Sequence, residues 1–164
     1  MLRIKPFVVA SVLLLASFTS CNRAEKKPIQ RNIAIKVAII YNLGGAQAVA
    51  RENFYLLNKD AVQIWKEAGL IKDEKNVGFD YWLDRINATE KKPSKYEETI
   101  KPHIIKTTTT DFEGNATFED VPEGSYYIYG VTETRGGIAL WSYKVSTQDT
   151  KTVFLDNKNA IFAK

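Results

Sequence analysis

Residues 110–130 read TDFEGNATFEDVPEGSYYIYG, and the reading of this stretch decides the fold. Asp111 stands where a turn begins and Gly114 where that turn needs a positive φ, so the chain reverses between two extended runs. Val121, Pro122, Glu123 and Gly124 mark a second reversal. Residues 116–118 form a short strand between the turns, and residues 125–132 form the next one. In that strand Tyr126, Ile128 and Gly130 alternate against Tyr127, Tyr129 and Val131. Both faces are apolar, which predicts a strand at the centre of its sheet.

Working outward, residues 104–110 are rich in β-branched side chains, and residues 138–145 and 152–155 continue the strand pattern. Arg135, Gly136 and Gly137 make one turn between them and residues 146–149 another. Upstream, residues 33–41 form a β-branched strand that ends at Asn42, Leu43, Gly44 and Gly45, and residues 49–57 form a second strand. Seven strands with turns at this spacing predict a β-sandwich.

The period changes between residues 58 and 102. Ala61, Ile64, Trp65 and Ala68 recur at helical offsets, with Asn58 or Asp60 as a cap and Gly69 as a stop. Phe79, Trp82, Leu83 and Ile86 repeat the spacing in a second helix. Ser94 followed by Glu97 is a capping-box pair opening a third, with Tyr96 and Ile100 on its apolar side and Pro102 at its end. The sequence therefore predicts a mainly β protein, a seven-stranded sandwich with a helical insertion at residues 58–102 between the second and third strands. Trp65 and Trp82 are expected to pack within the helices. The insertion exceeds what a sandwich needs, so it is expected to be the recognition surface, with residues 59–101 dispensable for folding.

Thr110, Asp111, Gly114, Ala116, Phe118, Val121, Pro122, Gly124 and Tyr126 resemble the signature of prealbumin-like (transthyretin-like) sandwiches. Among these are carboxypeptidase regulatory-like domains and the collagen-adhesin B-type repeats, in which T-D-x-x-G is followed by P-x-G-x-Y. The resemblance covers residues 33–57 and 104–156 and stops at the helical block. It implies a scaffold, spacer or binding module and says little about chemistry. The adhesin repeats also imply an isopeptide bond from a first-strand Lys to a last-strand Asn, promoted by a buried acid. Lys36 with Asn157 or Asn159 stand in suitable elements, but the promoting position here is Gly130, so no bond is expected.

The N-terminus gives an address. Arg3 and Lys5 precede a short apolar run at residues 7–18, then Thr19 and Ser20 lead into Cys21, the chain's only cysteine. The run is too short to cross a membrane and has the flanks of a processed targeting peptide. It resembles the lipobox of bacterial lipoproteins, with Phe18 where Leu is usual. That resemblance implies a signal peptide at residues 1–20, lipid attachment at Cys21 and a tether at residues 21–32 before the domain at residues 33–164. The location implied is the cell envelope. Asn22 in place of Asp after the cysteine, with a basic tether, favours the periplasmic face of the outer membrane if the host has one.

Of 23 basic and 19 acidic residues, six basic and one acidic precede Asn32, so the domain itself is near neutral. No clustered basic stripe remains, which argues against nucleic acid as a partner. His103 is the only histidine, so a two-His metal site is excluded and a His-activated nucleophile is disfavoured. No metal or other cofactor is expected, and no catalytic residues. Asp111 with Glu113, and Glu119 with Asp120, flank turns as local caps. Trp141 and Tyr143 share a strand face, with Tyr127 and Tyr129 placed nearby; an exposed row of such rings would stack on sugars or on a partner, and the other reading has them fill the sandwich core or pack under the helical block. The functional expectation is a non-catalytic, membrane-anchored envelope lipoprotein with a protein or glycan partner. The alternative is a carbohydrate-binding module that uses those aromatics.

Overall fold

The computed structural model describes residues 30–41, 44–71, 73–134, 137–149 and 151–163. Cys21, the signal peptide and residues 22–29 of the tether lie outside the described residues, as do Asn42, Leu43, Arg135 and Gly136 of two expected turns.

Strand β1 (Gln30–Ile40) alternates strictly, with Ile33, Ile35, Val37 and Ile39 buried. It is the hub of the first sheet. It pairs antiparallel with β2 (Ala46–Ala48) and β5 (Asn115–Pro122), and parallel with β8 (Val153–Leu155). The second sheet runs β4 (Ile104–Thr109), β3 (Asn53–Leu57), β6 (Ser125–Thr134), β7 (Gly137–Ser146) and β9 (Phe162–Ala163). As its two apolar faces require, β6 lies at the centre. The two sheets close over a core that includes Ile35, Val37, Phe54, Phe118, Ile128 and Trp141.

The signature stretch folds through local hydrogen bonds. Asp111 Oδ1 accepts from the backbone N–H of Glu113 and of Asn115, both at 2.8 Å, so the turn is closed by contacts within five residues. Those bonds, first the one from Asn115, hold the Asp111 carboxyl below its ordinary range. Gly114 has φ +78°, and a Cβ there would lie 2.3 Å from the Val37 carbonyl oxygen. Thr110 is buried beside it and bonds Glu52 from backbone and side chain, which ties the turn to the entry of β3. Tyr126 donates its hydroxyl to the Pro122 carbonyl at 3.0 Å and so locks the second turn.

The expected sandwich and its helical insertion are both present, with differences at the edges. β1 starts at Gln30 rather than Ile33, because Gln30 and Arg31 pair with Pro122 and Val121. Among the described residues nine strands form where seven were expected; β2 and β9 are three and two residues long and show no usable period. The strand expected from Val49 begins at Asn53, because Arg51 takes a φ of +60° and bends the chain.

The insertion holds α1 (Ala61–Glu67), α2 (Val77–Ile86) and α3 (Lys95–Ile100). Asp60 caps α1 through the Val62 N–H, and Gly69 turns out of it at φ +70°. Ser94 caps α3 through the Glu97 N–H at 3.3 Å. These helices are a third layer. They bury Ala61, Ile64, Trp65, Tyr81, Tyr96 and Ile100 against Leu57, Tyr129, Ile138 and Leu140 on the outer face of the second sheet. Residues 59–101 therefore cover a second core, which corrects the expectation that they are dispensable.

In α2 the expected apolar face points outward. Phe79, Leu83 and Ile86 are 44%, 37% and 57% exposed, while Val77, Gly78 and Tyr81 are buried. The reason lies at the C-terminus of the chain. Phe162 packs so closely on Gly78 that a Cβ there would sit 2.2 Å from the Phe162 side chain. Trp65 packs as expected, donating its Nε1–H to the Tyr96 carbonyl at 2.9 Å. Trp82 is only half-buried and stacks on Phe79 at 5.7 Å.

Candidate functional site

The four aromatics expected to form one row fall on opposite faces of the second sheet. Across the β6–β7 ladder Ile128 faces Tyr143 and Gly130 faces Trp141, whereas Tyr127 faces Lys144 and Tyr129 faces Ser142. Directly paired residues share a face, so Trp141 and Tyr143 point between the sheets and Tyr127 and Tyr129 point to the helices. Trp141 is fully buried, with its Nε1–H donated to the Asp156 carbonyl at 2.9 Å. Tyr129 is buried in the helical core, and Tyr127 is half-buried against it. Of the four only Tyr143 is exposed, at 37%. With Phe154, 64% exposed, it lines an open groove of about 680 Å³ beside Lys144, Gln148 and Lys151.

The candidate site that the structure assembles lies under the helical layer. A cleft of about 360 Å³ separates α2 and α3 from β3 and β6, lined among others by Asn53, Tyr55, Arg85, Glu97, Lys101 and Tyr129. Its polar groups converge because of helix spacing. Tyr81 and Arg85 are four residues apart in α2 and so share a face, and the Ser94 cap places Glu97 in the first turn of α3 opposite them. Tyr129 donates its hydroxyl to the Tyr81 hydroxyl at 3.2 Å, Tyr81 donates to Glu97 Oε1 at 3.0 Å, and Arg85 forms an ion pair with the same carboxylate. The capping box is therefore only half made, because the Glu97 side chain is spent on α2. On the other side of this ion pair lies a second hollow of about 390 Å³, reached by Trp82, Ile86, Glu133 and Ile138.

Burial pushes the Tyr81 phenol up to about 12, with the Glu97 charge adding to the rise, and burial also pushes the Tyr129 phenol well above its ordinary value. Both phenols stay protonated at neutral pH and act as donors, not as bases. The nearest arrangement to an activated hydroxyl is Ser142, which donates to Asp60 Oδ1 at 2.8 Å and accepts from the Ala61 N–H at 3.0 Å. It fixes the start of α1. The one histidine, His103, lies 3.0 Å through Nδ1 from Asn58 Oδ1 and takes no part. Among the described residues no three His, Cys, Asp or Glu side chains come together as metal ligands.

The isopeptide candidates are also placed. Asn157 accepts from the Ile40 N–H at 2.8 Å and donates to the Ile40 carbonyl at 3.0 Å, and Asn159 accepts from the Asp156 N–H and donates to the Phe154 carbonyl. Both amides serve as backbone clamps. Gly130, at the position of the promoting acid, is buried against the Phe54 ring. Arg85 was not singled out by sequence reasoning, and Glu97 was read only as half of the capping box. The i,i+4 pair Tyr81 and Arg85 was the available signal, but it gives no partner across a loop.

No family model and no curated protein matches the sequence. Among solved structures the chain is similar to a proposed carbohydrate-binding protein from Pseudomonas aeruginosa, at 16% identity over 81% of this chain and 92% of that one, with a TM-score of 0.46. It is also similar to a basal pilin from Lactobacillus rhamnosus GG, at 14% identity over 78% of this chain and 95% of that one, with a TM-score of 0.35. A pilus backbone protein from Streptococcus pneumoniae is similar at 10% identity over 76% of this chain and 40% of that one, with a TM-score of 0.33.

Proposed function

We propose that this chain is a non-catalytic binding module of the bacterial cell envelope, held at a membrane by lipid on Cys21, and that it recognises its partner at the cleft under the helical layer. The observation that carries the reading is the convergence of Arg85, Glu97 and Tyr129 beside an aromatic wall at Tyr55, with Tyr81 buried behind them. A concave site with a few fixed polar groups on an apolar floor suits orientation of a ligand. The phenols stay protonated at neutral pH and His103 is not among the residues that line the cleft, so the site offers donors and acceptors that suit binding. On this reading the sandwich serves as the frame and the helices supply specificity, with the domain on the periplasmic face of the outer membrane in a host that has one.

The test is a calorimetric and fluorescence titration of the chain from Asn22 onward against envelope oligosaccharides and peptides. Trp65 and Trp141 are fully buried and Trp82 lines the hollow on the other side of the Arg85–Glu97 pair, so calorimetry reads binding in the cleft and a change in Trp82 emission reads binding in the hollow. Tyr55→Ala and Lys101→Ala should each weaken binding at least tenfold with the fold intact. Binding that ignores both substitutions would exclude the cleft.

A second reading is favoured by one observation, the pair of solvent-exposed rings Tyr143 and Phe154 along the open groove. Sugar rings stack on such surfaces. If glycans bind there, Tyr143→Ala with Phe154→Ala abolishes binding and the cleft variants leave it unchanged.

A further inference from the structure

We infer that strand β4 is an interface between two copies of this chain, which join their second sheets edge to edge through antiparallel pairing of residues 106–110. β4 ends the second sheet, with β3 as its neighbour in the ladder. Thr110, just after it, donates its N–H to the Glu52 carbonyl and accepts from the Arg51 N–H, both at 3.0 Å. Backbone direction alternates along a strand, so Lys106 and Thr108 also turn to β3, while the N–H and C=O of Thr107 and Thr109 face away from the sheet. Such an edge templates pairing with another chain, and proteins blunt it with short strands, charges, proline or bulges. The strands at the other sheet ends carry these devices. β2, β8 and β9 are three, three and two residues long, and β5 has Glu119, Asp120 at a φ of +50° and Pro122. β4 has six residues, a single charge at Lys106, and an irregularity only at its start, opposite Leu56 and Leu57. The helical layer leaves it open, for Ile105, Thr107 and Thr109 are exposed.

The residues of the edge select a second copy as the occupant. Thr107, Thr108, Thr109 and Thr110 form a run that reads the same in both directions. Antiparallel pairing about a two-fold axis at Thr108 sets Thr107 opposite Thr109 of the second copy, so the outward backbone groups of both chains meet in about four hydrogen bonds. Threonines opposed across such a pair add side-chain hydrogen bonds. The charges agree with this register. Lys106 falls opposite Thr110 of the second copy and next to its Asp111, while the two Lys106 residues stay four positions apart, about 14 Å. Glu52 and Glu113 stand at the same acidic end as Asp111, against Lys36 and against Arg51, which is held over the Phe112 ring. At the other end Lys101 is already matched by Glu98. The contact is isologous, so it closes at two copies and makes one continuous sheet of the two. A paired segment of five residues is short for an interface, so the dimer forms reversibly as concentration rises. Neither the cleft nor the lipid anchor is needed for it.

The experiment is sedimentation equilibrium from micromolar to millimolar concentration on the chain from Asn22 onward, which contains every described residue and carries no lipid. The expected result is a reversible rise from monomer to dimer mass, with amide hydrogen exchange at Thr107 and Thr109 slowing as the dimer fills. Thr107→Lys with Thr109→Lys sets lysine opposite lysine and should weaken dimerisation at least tenfold, with partial recovery in high salt. Thr107→Lys with Thr109→Glu sets each lysine opposite a glutamate and should dimerise at least as well as the wild type. The two variants separate loss of the pairing from loss of the fold, and equal urea midpoints of their monomers verify that both are folded. Dimerisation that the double-lysine variant retains, or that the lysine and glutamate variant loses, overturns the proposal. So does a dimer in which exchange at Thr107 and Thr109 is not slowed, since its contact lies elsewhere. A protein that stays monomeric at every concentration also overturns it and leaves the edge to a strand of another polypeptide.

Discussion

Replacing Gly130 with Ala tests the packing that closes the sandwich. Gly130 lies between Phe54 and Trp141 across the ladder, and all three face the other sheet. A Cβ built on it would meet Phe54 Cε1 at 2.2 Å and Cδ1 at 2.3 Å. The φ of Gly130 is not in the left-handed region, so the backbone tolerates alanine and only the collision matters. Relief requires the ring to move by more than 1 Å from contact of roughly 3.5 Å. Phe54 is fully buried and packs on Trp141 with ring centroids 6.0 Å apart, so it has nowhere to go. Overpacking costs about 1–3 kcal/mol and a collision this deep falls in the upper half of that range, about 2–3 kcal/mol, offset by about 0.5–1 kcal/mol that alanine gains over glycine in a strand. The expected net loss is about 1–2 kcal/mol, or a fall in Tm of roughly 3–10 °C for a domain of this size. Urea unfolding followed by tryptophan emission measures it, with the midpoint shifted and the slope unchanged. Phe54→Leu makes room for the methyl, so the double variant should recover at least about 1 kcal/mol relative to the sum of the two single changes. A Gly130→Ala protein as stable as the wild type would refute the reasoning, because the phenyl ring could not then fill the space above Gly130.

Three further outcomes are expected. Tyr81 has a folded pKa of about 12 against an ordinary 10.0, so its contribution is complete below about pH 10 and disappears as pH rises through about 12. The loss is at most about 2–3 kcal/mol; it is read as a falling urea midpoint, and an equal decline in Tyr81→Phe would count against the assignment. Deleting residues 59–101 uncovers Leu57, Tyr129 and Leu140 and should yield an aggregating or unfolded chain; cooperative unfolding of a soluble product would show that the helical layer is separable. Cys21→Ser should move the protein from the membrane to the soluble fraction of fractionated cells, and retention in the membrane would overturn the anchor reading.

The turn at Asp111 and Gly114 was legible because its causes are local, a side-chain acceptor and a positive φ within five residues. The central placement of β6 followed from its two apolar faces. The caps at Asp60 and Ser94 and the stop at Gly69 were legible for the same reason. The face of α2 was misread because Phe79, Trp82, Leu83 and Ile86 have the spacing and hydrophobicity of a buried stripe. What turned them outward is Phe162, more than seventy residues away, occupying the space that Gly78 leaves. Of the two readings of the aromatics, packing in the two cores holds for Trp141 and Tyr129 and the exposed row does not, for a related reason. Trp141 and Tyr129 are each plausible in a row, but the register sets Trp141 opposite Gly130 and Tyr129 opposite Ser142, which puts them on opposite faces.

By itself the sequence determined the class of fold, the positions of its turns and helix caps, and the near neutrality of the domain once the N-terminal charges are set aside. Each of these depends on residues a few positions apart or on composition. Only the tertiary structure decided that the helices form a third layer over Leu57, Tyr129 and Leu140, and that Arg85 meets Glu97 beside two buried phenols. It also decided that α2 leaves its most apolar stripe to solvent. These depend on which faces meet across long loops, and the choice is settled by volume: a ring at Phe162 or Phe54 fits only where the facing residue has no side chain.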